Sequence, residues 1–285
     1  MFSEKRYKVG KNNINNRLKD IFKNEKLLLG VVHLNPLPGS PSYKGESLDD
    51  IYDLALKDTE CYSRGNFHGI IIENHGDIPF SKPEDLGPET VAVMSVITNK
   101  LREKYKHLIF GINVLANGAI PALSVAMASN SSFIRVNQYT NAYIANEGFI
   151  EGLAAKITRY RRWISADSIS IFADVHVKHG SHAIVADRSI EELAKDSEFF
   201  GADVLIATGQ RTADSAEIEE VETIKKSTSL PVLIGSGISK DNVKNYYHNC
   251  DGFIIASSLK YDGFWKNSVD LERVIAFTKI LDLLK

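Results

Sequence analysis

Leu27-Leu28-Leu29-Gly30-Val31-Val32 is an almost unbroken apolar run, and the polar His33 closes it. Runs of the same kind return at 69–72, 108–114, 132–136, 169–173, 203–207, 231–234 and 252–256. Most are nearly continuous in Ile, Val, Leu and Phe instead of alternating with polar residues. Strands buried on both faces read this way, so a parallel sheet is expected. Segments of helical period separate the runs. Ser47 caps one in which Ile51, Ala55, Thr59 and Tyr62 share a face. Pro88 suits the first turn of the next, with Val91, Met94, Leu101 and Tyr105 inward. A shorter helix covers 119–129, and one over 147–164 turns Ile150, Leu153, Ala154 and Ile157 inward. Ser189 with Glu192 makes a capping box. Ser215, Ser239 and Asp270 cap the last three, the final one with a stripe of Leu271, Val274, Ile275, Thr278 and Leu281. Eight such units in one chain predict an α/β protein built as a single (β/α)8 TIM barrel over 27–285. A doubly wound open sheet is the rival, but no G-x-G-x-x-G follows the first run.

Residues 1–26 hold eight Lys/Arg against three Asp/Glu. They read as a partly flexible N-terminal extension with a leading helix; Glu4 and Asp20 interrupt any targeting pattern. The net charge of -2 implies no bulk attraction to a nucleic-acid polymer or an anionic membrane. No stretch reaches the roughly 18–20 apolar residues of a membrane span. Two distant cysteines, Cys61 and Cys250, fit a reduced cytoplasmic compartment. Barrels commonly self-associate, and no segment marks a particular contact for a homo-oligomer. Tyr246-Tyr247 and Phe199-Phe200 read as helix-to-barrel packing, and 159–162 as a solvated helix face.

The links are asymmetric. Those from helix to strand are short, whereas 33–46, 74–87, 137–146, 176–188 and 257–269 are long strand-to-helix loops. In a barrel such loops surround the face where sites occur. The first polar residues after each run are His33, Glu73-Asn74, Asn113, Arg135 with Asn137, Asp174 with His176, Thr208, Gly235-Ser236-Gly237 and Ser257-Ser258. Strand ends converge on the barrel axis, so these distant residues can meet. Glu73 and Asp174 are the acid/base candidates, since partly desolvated carboxylates can exchange protons near neutral pH. Pairing of either with Arg135 or Lys178 would instead keep it ionised. His33, His176 and Lys178 can orient a ligand or stabilise developing negative charge. Asn74, Asp77, Asn113, Arg135, Asn137 and Thr208 are expected around the substrate. Gly235, Ser236, Gly237, Ser257, Ser258 and Lys260 form a candidate phosphate cradle after strands 7 and 8. Asp174, His176 and His179, with His182 nearby, are candidate ligands for a divalent metal, although Lys178 among them argues against it.

Across these residues the chain resembles the BtpA family, whose namesake is called a photosystem I biogenesis protein. The matching segments include Gly30-Val-Val-His-Leu-Asn-Pro-Leu-Pro-Gly-Ser-Pro41, Ile72-Glu-Asn-His-Gly-Asp-Ile-Pro-Phe80 and Gly111-Ile-Asn-Val-Leu115. Further matches are Phe133-Ile-Arg-Val-Asn137, Ala173-Asp-Val-His-Val-Lys-His179, Leu233-Ile-Gly-Ser-Gly237 and Ser257-Ser-Leu-Lys-Tyr-Asp-Gly263. They run from about Leu27 to the C-terminus. Departures are the N-terminal extension and His75, where members often carry Phe or Tyr. The resemblance implies a phosphate-binding TIM barrel, and for some members an enzyme of sugar or nucleotide metabolism.

Two expectations of different kinds follow. The first is an isomerase, lyase or hydrolase acting on a small phosphorylated ligand by acid/base chemistry, with a metal-dependent hydrolase as a variant. The second is a non-catalytic assembly or stability factor, which needs an exposed docking patch more than a converged polar pocket.

Overall fold

The computed structural model describes residues 15–209 and 216–285. Eight parallel strands close into a barrel. In order around it they are β1 (Leu27–His33), β2 (Gly69–Glu73), β3 (Ile109–Asn113), β4 (Phe133–Val136), β7 (Ser170–Asp174), β9 (Val204–Ala207), β10 (Val232–Ile234) and β11 (Gly252–Ile255). The last pairs back with β1, Leu29 against Ile254. Each barrel strand matches one of the eight apolar runs.

The two-residue period of each strand divides its side chains between two cores. Leu27, Leu29, Val31, Ile71, Ile109, Phe133, Phe172, Val204, Ile206, Leu233 and Ile254 fill the barrel interior. Their neighbours, such as Leu28, Val32, Ile70, Ile72, Phe110 and Ile112, pack beneath the helices. In the interior, Phe133 and Phe172 stack with ring centroids 4.1 Å apart. Gly111 makes room for them: a Cβ there would lie 2.1 Å from the Phe133 ring.

The helices are α1 (Asn16–Asn24), α2 (Leu48–Arg64), α3 (Pro88–Lys104), α4 (Ala119–Ala128), α5 (Ala154–Trp163), α6 (Ile190–Phe199), α7 (Ile218–Ser227), α8 (Val243–Tyr246) and α9 (Leu271–Asp282). Ser47 with Asp50 and Ser189 with Glu192 close capping boxes, and Pro88 opens α3. The Asp270 side chain accepts from the N–H groups of Glu272 and Arg273 at the start of α9. The leading helix is more than a leader. Leu18 of α1 is wholly buried among the interior residues, so α1 plugs the N-terminal end of the barrel.

Several sequence expectations are corrected. The helix expected over 147–164 begins at Ala154, because β5 (Ala142–Ala145) and β6 (Gly148–Glu151) form a hairpin ahead of it. With β8 (Gly180–Ser181) they make a separate three-stranded antiparallel sheet. Its inner face buries Tyr143, Ile150 and Val177. The helix expected from Ser239 starts at Val243; the Asn242 side chain closes 239–242 as a turn instead. On α9 the buried stripe is Val274, Phe277 and Leu281. Arg161 is buried, pairing with Asp203 at 3.1 Å, whereas Phe199 and Phe200 are exposed. Ser215 and residues 1–14 lie outside the described residues.

His68 gives the fold an acid-sensitive point. Its Nδ1 accepts the N–H of Leu28 at 3.0 Å, and burial lowers its pKa. As pH falls below about 6.5, the unfolded chain takes up this proton before the folded one, so stability is lost on acidification. The loss of unfolding free energy between pH near 7.5 and near 5.5 is expected to be smaller in His68→Gln. An equal loss would contradict the assignment.

Candidate functional site

The period that fills the interior with apolar residues carries on to the strand ends, where the inward positions turn polar. His33 follows Val31, Glu73 follows Ile71, Arg135 follows Phe133 and Asp174 follows Phe172. Register sets their level: His33 pairs with Glu73 across β1 and β2, and Glu73 with Asn113 across β2 and β3. A cavity of about 380 Å³ opens above this layer, at the C-terminal mouth. The sheet of β5, β6 and β8 reaches over one side, contributing Tyr143 with neighbouring Glu147, Val177 and Lys178 to the lining. Ile78, Phe80 and Trp265 form an apolar part of the wall.

On one side of the floor, Glu73 is buried but borders the cavity. Asn113 Nδ2 donates to its Oε2 at 2.6 Å, and His75 Nδ1 lies 3.0 Å from its Oε1. His33 Nε2 lies 3.7 Å from the same Oε1. The His33 and His75 rings stack at 4.4 Å, and Trp265 meets His75 edge-on at 4.5 Å. Burial alone would raise the Glu73 pKa. The hydrogen bond from His75, and the charges of His75, His33 and Arg135, outweigh it and hold the carboxyl below the usual range. Burial pushes the His33 imidazole down to about 3.

On the other side, Arg135 Nε and Nη2 donate to the two oxygens of Asp174, each at 2.9 Å. Burial acts against the Arg135 charge, but the carboxylate of Asp174 more than offsets it and raises the pKa. Asn137 Nδ2 also donates to Asp174, at 3.3 Å. The Oδ1 atoms of Asn113 and Asn137 are buried without a hydrogen-bond partner, and both residues line the cavity. A buried acceptor left in this state favours a ligand that brings donors.

The turns after β10 and β11 lie side by side. Ser258 Oγ donates to Ile238 O at 2.6 Å, and Asn242 Nδ2 donates to Gly237 O at 2.8 Å. Gly237 sits at a φ of +68°, which only glycine adopts without strain. Gly235 and Ser257 line the cavity, and Lys178 Nζ reaches Ser236 Oγ at 3.5 Å.

Other expected site residues lie elsewhere. Asn74 and Asp77 clamp loops: Asn74 holds Leu115 and Asp77, and Asp77 accepts from Leu37 N–H. Thr208 Oγ1 donates to His176 O. Lys260 turns away from the glycine turn toward Asp58, 3.9 Å off, and is wholly buried. The metal set of Asp174, His176 and His179 does not assemble. Both oxygens of Asp174 face Arg135, and the His176 ring packs on His182 near Glu220. Among the described residues, the three ligating side chains that do converge are His33, Glu73 and His75. Sequence reasoning passed over His75 and Trp265. The i, i+2 spacing of Glu73 and His75 was a usable signal for the first; nothing local marked the second.

The architecture is that of a (β/α)8 barrel with a polar layer at its C-terminal mouth. The chain belongs to the BtpA family, which it matches over residues 24–282. An uncharacterised protein of Pyrococcus horikoshii is 40% identical over 262 residues, 92% of this chain and 98% of that one. The photosystem I biogenesis protein BtpA of Synechocystis is 35% identical over 262 residues, 91% and 89% of the two chains. Among solved structures, tryptophan synthase subunit alpha of Legionella pneumophila superposes with a TM-score of 0.61 at 12% identity, covering 96% of this chain and all of that one. Geranylgeranylglyceryl phosphate synthase of Thermoplasma acidophilum, in complex with sn-glycerol-1-phosphate, gives 0.57 at 12%, covering 93% and 98%. At these identities the structural likeness is one of fold. No helix among the described residues is long and apolar enough to cross a membrane.

Proposed function

We propose that this chain is a metabolic enzyme that binds a small phosphorylated ligand, of sugar- or nucleotide-phosphate type, in the mouth cavity and transfers protons on it. The observation that carries the reading is the cavity floor: buried Arg135 braced by Asp174, beside two buried amide oxygens without partners. A floor of this kind suits a ligand bearing both hydroxyl donors and negative charge. The phosphate is assigned to the turns at Gly235, Ser236, Gly237, Ser257 and Ser258, with Lys178 as the cation in place of Lys260. Arg135 holds negative charge that develops on the ligand. Asn113 and Asn137 accept from its hydroxyls. Glu73, held ionised in contact with His75, is assigned as the base that accepts a proton from the ligand and not as an acid. Asp174 serves as the partner of Arg135, because both its oxygens are engaged there. The solved barrel holding sn-glycerol-1-phosphate supports the reading by analogy of fold alone.

Thermal unfolding in phosphate-free buffer, against phosphorylated sugars and nucleotides and their dephosphorylated forms, tests it. At about a hundred times Kd, a ligand that binds only the folded state stabilises it by roughly 2.7 kcal/mol. At least one phosphorylated compound is expected to shift the transition, and Ser257→Asp to abolish that shift through like-charge repulsion. An equal shift by the dephosphorylated form would remove the phosphate assignment. No shift by any compound would favour the assembly-factor reading that the name of the Synechocystis relative suggests.

A further inference from the structure

His33, Glu73 and His75 each offer one ligating atom within 4.8 Å of the others, and all three residues border the mouth cavity. Each is aimed by a contact of its own. Asn113 holds Glu73 Oε2 at 2.6 Å, which turns Oε1 toward the two rings. His33 Nδ1 lies 3.1 Å from Trp265 O. A carbonyl only accepts, so a neutral His33 carries its proton on Nδ1 and presents a lone pair at Nε2. That lone pair faces Glu73 Oε1 at 3.7 Å. Two acceptors directed at each other favour a cation between them.

We propose that His33, Glu73 and His75 hold a divalent cation of the zinc or cobalt class, with its remaining positions open to the cavity. Two imidazoles and one carboxylate are the donor set of open catalytic sites for such ions. Bonds of about 2.0–2.1 Å place neighbouring donor atoms roughly 3.3 Å apart in tetrahedral geometry. The spacings of 3.0 Å and 3.7 Å about Glu73 Oε1 bracket that value. Trp265 O and Asn113 are outer partners of the kind that orient metal ligands.

The surrounding charge leaves Glu73 available. Arg135 is matched by Asp174 at 2.9 Å, and Lys260 by Asp58 at 3.9 Å. Glu73 has the two imidazoles as its close partners, while Arg135 and Lys260 each have a nearer carboxylate. The inference shares the cavity and Glu73 with the proposed function: where the cation binds, Glu73 Oε1 holds it and does not move the proton. A bound cation would supply an electrophile beside the phosphorylated ligand.

The test is Co²⁺ titration of chelator-stripped, full-length protein, read by visible absorption and by calorimetry, with Zn²⁺ as competitor. His75→Phe keeps a ring while removing the ligating nitrogen, and Glu73→Gln keeps shape while removing charge. Expected are one equivalent of Co²⁺ with ligand-field bands, displaced by Zn²⁺, and binding weakened in both variants beyond the ~10–100-fold that loss of an outer partner costs. Absence of stoichiometric binding, or equal affinity in wild type and either folded variant, overturns the proposal. Repeating the phosphorylated panel in chelator separates the two readings: a ligand shift without metal binding leaves the proposed function standing and removes the cation.

Discussion

Arg135→Ala is expected to lower stability by about 3–5 kcal/mol, because it leaves the buried Asp174 carboxylate without its counter-charge. For a chain of this size, with an unfolding entropy of about 0.6 kcal/mol/K, that is roughly 5–8 °C in Tm. The geometry sets the size of the effect: two 2.9 Å hydrogen bonds join the pair, and the Asp174 side chain has no exposed area. The double variant Arg135→Met with Asp174→Leu is expected to recover most of the loss, since an apolar pair of similar volume needs no desolvation of charge. It is not expected to recover ligand binding, because the cation facing the cavity is gone. Differential scanning calorimetry and the ligand panel on both variants read the two effects separately. If the double variant is no more stable than Arg135→Ala, the ion-pair account is wrong. If it binds ligand normally, Arg135 has no role in recognition.

Glu73→Gln carries the largest expected effect on chemistry. Replacing a group that moves protons costs about 10²–10⁴-fold in rate. Gln keeps the acceptor for Asn113 and turns its N–H groups to His75, which accepts at Nδ1 in its other tautomer, so folding and the ligand-induced thermal shift are expected to survive. The measurement is kcat with whichever phosphorylated compound the panel identifies. A kcat unchanged by Glu73→Gln would take Glu73 out of the reaction. A lost thermal shift would make it a binding residue instead.

The barrel was legible because its strands are buried on both faces. A run such as Gly69-Ile-Ile-Ile72 has no polar position to offer solvent, and such runs in βα rhythm close into the observed order. The polar mouth was legible for a related reason. The same alternation that sends Val31, Ile71 and Phe133 inward sends His33, Glu73 and Arg135 inward one step later. What escaped is conformation that long-range contact decides. The segment 142–151 reads as the end of a long loop and the start of a helix. It becomes a hairpin because Tyr143 and Ile150 find Val177, which comes from another part of the chain. Lys260 could be read as a phosphate ligand from its place after strand 8. Its side chain instead follows the buried charge of Asp58, far away in sequence. His176 lies two residues from Asp174, yet it leaves that neighbour for His182 and Glu220, so spacing alone misplaced the metal candidates. The turns after strands 7 and 8 were placed by position, but which of their groups face the cavity depends on Ser258 and Asn242 tying the loops together.

The most direct test of the central claim is a crystal structure of the protein with the phosphorylated compound that gives the largest thermal shift. The account predicts the phosphate against the Gly235–Gly237 turn and Ser257, within reach of Lys178. It places the rest of the molecule over Asn113, Arg135 and Asn137, with its reacting end at Glu73 and His75. A ligand bound outside the mouth cavity, or inside it with its phosphate touching neither turn, would contradict the account.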